Sequence, residues 1–340
     1  MKAMVYSDWN RLEISEVAQP TLQPGELLIQ VAACGICGSE LEAFKKRSPR
    51  RTPPLVLGHE FCGEVVEVAP GGKADLVGRK VVVNAVVSCG TCHQCRRGNT
   101  HLCVNRTLFG MNRPGAFAEY VAVPESTILP WPDELSARQA CLAEPLANGV
   151  HIVRLCESVR PENVLIIGAG AIGLLCQQAF QAVLGARVTV ADVRTDRLAI
   201  ARDLGAHEVI DSGSNDVVAM SHQLTEGAGM DVVVDAVGMG LTKKQSLHAS
   251  RAGGVAVWIG LAENEMALST FDVILSERTV HGTYGARMDD LERAIQLLES
   301  GAIRTQSWVE AFPLERGVEA FERMLAGKKN DIKAVVQPNR

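Results

Sequence analysis

Apolar and polar positions follow two different rhythms along the chain, and the change falls near residue 145. Before it, short apolar runs at residues 26–32, 61–68 and 80–87 read as strands. They are separated by the turn pairs Pro24-Gly25, Pro70-Gly71 and Pro114-Gly115. Many short strands between turns predict a barrel-like β domain. After residue 145, apolar strands at 163–168, 187–192, 207–210, 231–235, 254–259 and 279–283 alternate with helical patterns such as 171–184 and 195–204. Six strands with intervening helices predict an α/β doubly wound parallel sheet. Residues 289–300 and 314–326 carry the spacing of amphipathic helices, and 332–336 that of a last strand. This tail is expected to pack back onto the first domain. The expected domains are therefore residues 1–147 with 285–340, and an inserted 148–284.

Residues 164–186 hold no Asp, Glu, Lys or Arg, a length that could span a bilayer. Gly168, Gly170, Gly173 and Gly185, with Gln177, Gln178 and Gln181, point instead to a strand, a glycine turn and a buried helix. Composition narrows the picture further. Of 340 residues 47% are apolar and 21% charged, which is globular and sufficient for two cores. A formal net charge of −5 argues against a general nucleic-acid-binding surface. The first ten residues hold no apolar signal-peptide segment. A cytoplasmic protein without a membrane partner is expected, its ten cysteines being thiols or metal ligands.

Three constellations carry chemistry. The first is Gly168-Ala169-Gly170-Ala171-Ile172-Gly173, between a strand and a helix. Gly168 permits the tight turn, Gly170 lets the backbone approach a pyrophosphate, and Gly173 lets helix and strand pack closely. The N–H groups at Ala171 and Ile172 face the phosphates from the positive end of the helix. Asp192 ends the next strand, where an acidic residue accepts from the ribose hydroxyls and repels a 2′-phosphate, favouring NAD over NADP. Arg194 and Arg197 just beyond leave NADP as the alternative.

The second constellation is Cys89, Cys92, Cys95 and Cys103, four thiols that can close around one structural Zn²⁺. An iron–sulfur cluster or a disulfide pair are the alternatives. The third is dispersed: Cys37 in Gly35-Ile36-Cys37-Gly38-Ser39-Glu40, His59 and Glu60 after Gly58, and Glu144 before Pro145. A thiolate, an imidazole and two carboxylates suit a catalytic zinc, which keeps one position for water or substrate.

With these motifs in place, the sequence resembles the zinc-dependent medium-chain dehydrogenases over essentially its whole length. The sorbitol, threonine and galactitol-1-phosphate dehydrogenase group is the most similar. The resemblance implies a GroES-like β-barrel catalytic domain (1–147 and 285–340) and a Rossmann dinucleotide-binding domain (148–284). It implies Cys37, His59 and Glu60 as catalytic-zinc ligands, and Glu144 as a further ligand, direct or through water. Cys89, Cys92, Cys95 and Cys103 would hold a second, structural zinc. Ser39 would hydrogen-bond the reacting oxygen, and Asp192 and Arg197 would hold the adenosine ribose. The implied activity is NAD-linked oxidation of a secondary alcohol of a polyol or sugar alcohol to a ketose, by a homodimer or homotetramer. One departure stands out: Glu42 occupies the place of the family's relay histidine, which weakens the case for threonine and leaves the proton route open.

Two alternatives remain. Residues 45–51 place five cations in seven positions. Such runs are commonly solvated loops, but Arg50 or Arg51 could grip a phosphate, which would make a polyol phosphate the substrate. From another class comes a non-catalytic NAD- and zinc-binding sensor, which would have no use for an open metal position.

Overall fold

The computed structural model describes residues 1–328 and 331–339. The chain forms two units: Met1–Ala147 with Gly285–Gly301 and Thr305–Arg340, and Asn148–Tyr284 with Ala302–Arg304.

The first unit opens with a hairpin that the sequence pattern had not singled out, β1 (Lys2–Asp8) and β2 (Arg11–Glu16). Its turn is made by Trp9 and by Asn10 at φ 59°, a conformation asparagine tolerates. β3 (Glu26–Gly35) extends beyond the expected strand and runs straight into α1 (Gly38–Lys46). β4 (Glu60–Val68) pairs antiparallel with β3. The strand expected over 80–87 is broken: β5 (Lys80–Val83) stops before Asn84. The Asn84 Oδ1 accepts from the Val86 N–H at 2.8 Å, which turns the chain out of the ladder. β6 (Tyr120–Pro124) and β7 (Ile128–Pro130) complete this stretch. α2 (Ala143–Cys156) follows, with Pro145 in its first turn, where a missing N–H leaves no helical bond unmade.

In the second unit the expected alternation is present: β8 (Asn163–Ile167), α3 (Ala171–Leu184), β9 (Arg187–Asp192), α4 (Thr195–Asp203), β10 (Glu208–Asp211), α5 (Val217–Leu224), β11 (Met230–Asp235), α6 (Gly240–Ala249), β12 (Ser250–Trp258) and β13 (Thr279–Gly282). The six strands are parallel in the order β10-β9-β8-β11-β12-β13. Strand order reverses between β8 and β11, so the glycine turn after β8 lies at the switch point where such sheets bind ligands. Val164, Leu165 and Ile166 are all fully buried, as expected of a parallel strand covered on both faces. The uncharged segment 164–186 is thus strand, turn and helix, and no described helix is long and apolar enough to cross a membrane.

The tail holds α7 (Met288–Glu299), β14 (Val309–Pro313), α8 (Gly317–Ala326) and β15 (Lys333–Gln337). β14, a strand that the apolar pattern missed, pairs parallel with β15. β15 pairs antiparallel with β3 through Val335–Gly35 and Val336–Cys34. The expected β-rich first unit is therefore present, with a seven-stranded sheet β7-β5-β4-β3-β15-β14, β6 also on β3, onto which the tail packs back as expected. Its core includes Met4, Ile29, Phe61, Phe117, Phe312 and Phe321. Ala302–Arg304 goes with the second unit because Gln178 of α3 accepts from the Arg304 N–H at 2.7 Å and donates to its carbonyl at 3.3 Å.

Candidate active site

Two groups of metal-ligating side chains occur among the described residues, each with its ligand atoms within 4.8 Å of one another: Cys89, Cys92, Cys95 and Cys103, and Cys37, His59 and Glu60. In the first, a four-residue helix capped at Cys92 (His93–Arg96) and a 3-10 turn ending at Cys103 (Thr100–Leu102) fold the lobe back on itself. Sulfur separations are 3.5 Å for Cys92 and Cys95 and 4.0 Å for Cys89 and Cys95. Four thiolates at about 2.3 Å from one zinc stand about 3.8 Å apart, so the lobe fits a single ion. All ten cysteines are free thiols. Hydrogen bonding from the Thr91 amide brings Cys89 down to about 6, while burial and the neighbouring Cys92 push Cys95 up to about 11. Thiols this close divide the charge unequally until a cation joins them.

The second group is assembled by a buried carboxylate. Cys37 caps α1, and Glu40 at the third helical position reaches back so that its Oε2 accepts from the Cys37 N–H at 3.0 Å. The other oxygen accepts from the Gly58 N–H at 2.9 Å and meets His59 Nδ1 at 2.8 Å. One side chain thus fastens the helix that carries Cys37 to the loop that carries His59, and leaves His59 Nε2 as the nitrogen for a metal. Burial would raise the Glu40 carboxyl, but the His59 charge and hydrogen bond, with Arg51, outweigh it and hold Glu40 below the usual carboxylate value. Burial would likewise lower His59, and the charges of Glu40 and Cys37 outweigh it and hold the ring well above the ordinary histidine value. A metal must therefore displace a proton to bind here.

Glu60 opens β4 and forms a buried ion pair with Lys333 of β15. Lys333 Nζ also donates to the Ile36 carbonyl at 2.9 Å. Ser39 Oγ donates to Cys37 Sγ at 3.3 Å. Of the two arginines considered for a substrate anion, Arg50 is exposed, whereas Arg51 is buried and directed at Ser39.

Glu144, near the start of α2, lies outside the tight group of three but within reach of the charges of His59 and Glu60. Burial, with the Glu60 charge behind it, pushes its carboxyl up to about 7 against the pull of His59. The folded metal-free protein then holds a proton that the unfolded chain has released, so this group lowers stability as pH rises from about 4.5 to about 7. Glu144→Gln is expected to stabilise the metal-free protein by on the order of 3 kcal/mol at pH 8 and not at all near pH 4, read from urea unfolding. A gain of equal size at both pH values would contradict this.

In the second unit Gly168 takes φ +105°, and a Cβ on Gly173 would lie 1.8 Å from the Gly168 carbonyl oxygen, so the turn closes only without side chains. Asp192, at the end of β9, accepts from the Ala169 N–H at 2.7 Å and the Arg194 N–H at 2.8 Å. Its carboxylate is thereby held beside the turn. The Arg194 guanidinium is committed to Asp196, at 3.1 and 2.7 Å. Arg197 lies over the turn, with Nη1 4.0 Å from where a Gly170 Cβ would be. Its buried Nε has no hydrogen-bond partner among the described residues. An open cradle at Gly170, Ala171 and Ile172 with an unpartnered donor above it fits a dinucleotide.

The sequence reading had singled out neither Glu40 nor Lys333. The Cys37-x2-Glu40 spacing has the form of a capping box, a signal that could have found Glu40. No local signal marks Lys333, which reaches the site only through the pairing of β15 with β3.

Two family models match the chain: the alcohol dehydrogenase GroES-like domain over residues 23–133, and the zinc-binding dehydrogenase domain over residues 171–300. The chain is 34% identical over 327 residues to an L-threonine 3-dehydrogenase of Pyrococcus abyssi, covering 94% of each. It is 33% identical over 337 residues to a D-arabitol-phosphate dehydrogenase of Enterococcus avium, covering 97% of this chain and 95% of the other. Among solved structures it is similar to galactitol-1-phosphate dehydrogenase from Escherichia coli, with a TM-score of 0.92, 25% identity, and coverage of 99% of this chain and 100% of that one.

Proposed function

The chain belongs to the zinc-dependent medium-chain alcohol dehydrogenases, and we propose that within this family it oxidises a secondary hydroxyl of a polyol or sugar alcohol to a ketose, with NAD as hydride acceptor. The observation that carries this reading is the mixed sulfur, nitrogen and oxygen group of Cys37, His59 and Glu60, a donor set that leaves a zinc position open. Zinc held there supplies Lewis acidity that lowers the pKa of a bound hydroxyl, and NAD on the glycine turn supplies the hydride acceptor. The chain's own residues do the rest. Glu40 fixes the tautomer and orientation of His59, Ser39 contacts the reacting oxygen, and Lys333 balances the charge of Glu60. Glu144 is a further metal ligand, direct or through water. Asp192 and Arg197 hold the adenosine ribose, and the pairing of Arg194 with Asp196 leaves that arginine little to offer a 2′-phosphate, which supports NAD.

A polyol phosphate is the second reading, favoured by exposed Arg50 next in sequence to Arg51, which reaches Ser39. A homo-oligomer is the proposed assembly. Among the described residues β13 leaves one edge of the six-stranded sheet unpaired, and Phe271, Ile274 and Leu275 just before it are exposed.

The test is NADH or NADPH formation with free polyols, their terminal phosphates and L-threonine, in wild type and Asp192→Ala. Turnover with polyols and NAD is expected, with the NADP/NAD efficiency ratio raised in the variant because an acceptor and a like charge are lost together. No reduced nucleotide with any alcohol would favour the sensor, and preference of wild type for NADP would overturn the reading of Asp192.

A further inference from the structure

The basic run of residues 45–51 divides in the structure. Lys45, Lys46, Arg47 and Arg50 are exposed, with Lys46 paired to Glu42 at 3.0 Å and Arg47 Nε donating to Asn10 at 2.7 Å. Arg51 is 5% exposed, and its fork is spread over the protein. Nε donates to the Gly110 carbonyl at 3.0 Å, Nη1 to the Ser39 carbonyl at 3.1 Å, and Nη2 to Ser39 Oγ at 3.2 Å.

A hydroxyl has one proton and two lone pairs, and a guanidinium only donates and does not deprotonate. The 3.2 Å contact therefore fills a lone pair of Ser39 and leaves its proton to point elsewhere. In this structure it points to Cys37 Sγ, 3.3 Å away, on the side of the Cys37, His59 and Glu60 group. We propose that Arg51 is a positioning residue: by occupying Ser39 from behind, it fixes the hydroxyl as a donor to the reacting oxygen. This rests on the reading of Ser39 as the residue that contacts that oxygen. A donor aimed in advance needs no reorganisation when the substrate hydroxyl gives its proton to water and negative charge develops on the oxygen. Glu42 fits the same scheme. It stands where the relay histidine was expected, yet it is partly exposed and paired with Lys46 at 3.0 Å.

The alternative role for Arg51 is purely structural, since it also ties Gly110 to the start of α1. The two roles separate in a cycle of Arg51→Met, Ser39→Ala and the double variant, assayed with the best substrate of the panel and as melting midpoints of the purified enzyme. Removing an aimed donor commonly lowers kcat by about 10²–10³-fold, which is expected for Ser39→Ala. Arg51→Met is expected to lower kcat about ten- to hundredfold with the KM for NAD unchanged, and to lower kcat no further when Ser39 is already alanine. Its effect on the melting midpoint should persist in both backgrounds, because the Gly110 and Ser39 carbonyl contacts remain. Arg51→Lys keeps the charge but not the fork; a kcat between wild type and methionine is expected, and it runs the same cycle if the methionine variant does not fold. An equal kcat loss from Arg51→Met in both backgrounds would overturn the proposal in favour of a structural tie. A loss confined to phosphorylated substrates would overturn it in favour of a phosphate grip. Unchanged kcat in Ser39→Ala would instead remove the underlying reading of Ser39, and the proposal with it.

Discussion

Cys37→Ala is expected to abolish turnover and keep the fold, while Cys92→Ala keeps the main fold and opens the cysteine lobe. In the proposed open site Cys37 is the sulfur donor, and its loss leaves His59 and Glu60 still anchored, by Glu40 and Lys333 respectively. Beyond the metal, the change removes a helix cap, worth about 1 kcal/mol, and the contact of Ser39 Oγ with Cys37 Sγ. Turnover should fall by about 10⁴-fold or more, because neither Ser39 nor Glu144 can stand in for a Lewis acid. The lobe is different in kind. Within residues 89–103 the described helices are one of four residues and one 3-10 turn, and Leu102 is exposed. With so little apolar burial, the metal supplies most of what holds the segment; structural zinc in small domains contributes about 10–16 kcal/mol. Trypsin should therefore cut Cys92→Ala at Arg96, Arg97 or Arg106 well before it cuts wild type, and elemental analysis should show one zinc where wild type has two. A Cys37→Ala enzyme that still turns over, or a Cys92→Ala lobe that stays resistant with two zincs, would contradict the assignment of the two sites.

What the sequence allowed depended on whether the signal was local. The glycine turn was legible because its three glycines, the strand before and the helix after lie within one short stretch, and Asp192 ends the next strand. The four-cysteine lobe was legible for the same reason. Cys37, His59 and Glu60 could be named as residue types suited to zinc, but only the pairing of β3 with β4 and the reach of Glu40 bring them together. β14 was missed because only Val309 and Phe312 of its five residues are buried, too short a run to show alternation. Arg51 was read as part of a charged run because five neighbouring cations look alike in sequence. Burial singles out one of them, and burial is set by tertiary packing.

Lys333→Met is expected to destabilise the metal-free protein by about 3–5 kcal/mol, the range for removing one partner of a buried ion pair. Lys333 is 3% exposed and Glu60 1%, so the lost charge leaves a carboxylate buried without its counter-ion. The fit around the pair is close: a Cβ on Gly35 would sit 2.3 Å from Glu60 Oε2 and 3.0 Å from Lys333 Cε. Burial alone would lower the Lys333 pKa, but the charges of Glu60 and Cys37 outweigh it and hold it above the ordinary lysine value, so the ammonium persists through neutral pH. Zinc changes the balance, because it offers Glu60 a second cation. The variant should therefore lose less stability when loaded with zinc than when stripped of it, and Glu60→Gln should restore most of what Lys333→Met removes from the metal-free protein. Thermodynamic linkage converts the difference into affinity. If the metal-free protein loses about 2 kcal/mol more than the loaded one, the variant binds zinc about thirtyfold more tightly. Urea unfolding with and without chelator measures the two stabilities, and competition with a chelator of known strength measures the affinity independently. Equal losses in both states, with unaltered zinc affinity, would mean that Glu60 keeps its charge away from the metal and that Lys333 is its permanent partner.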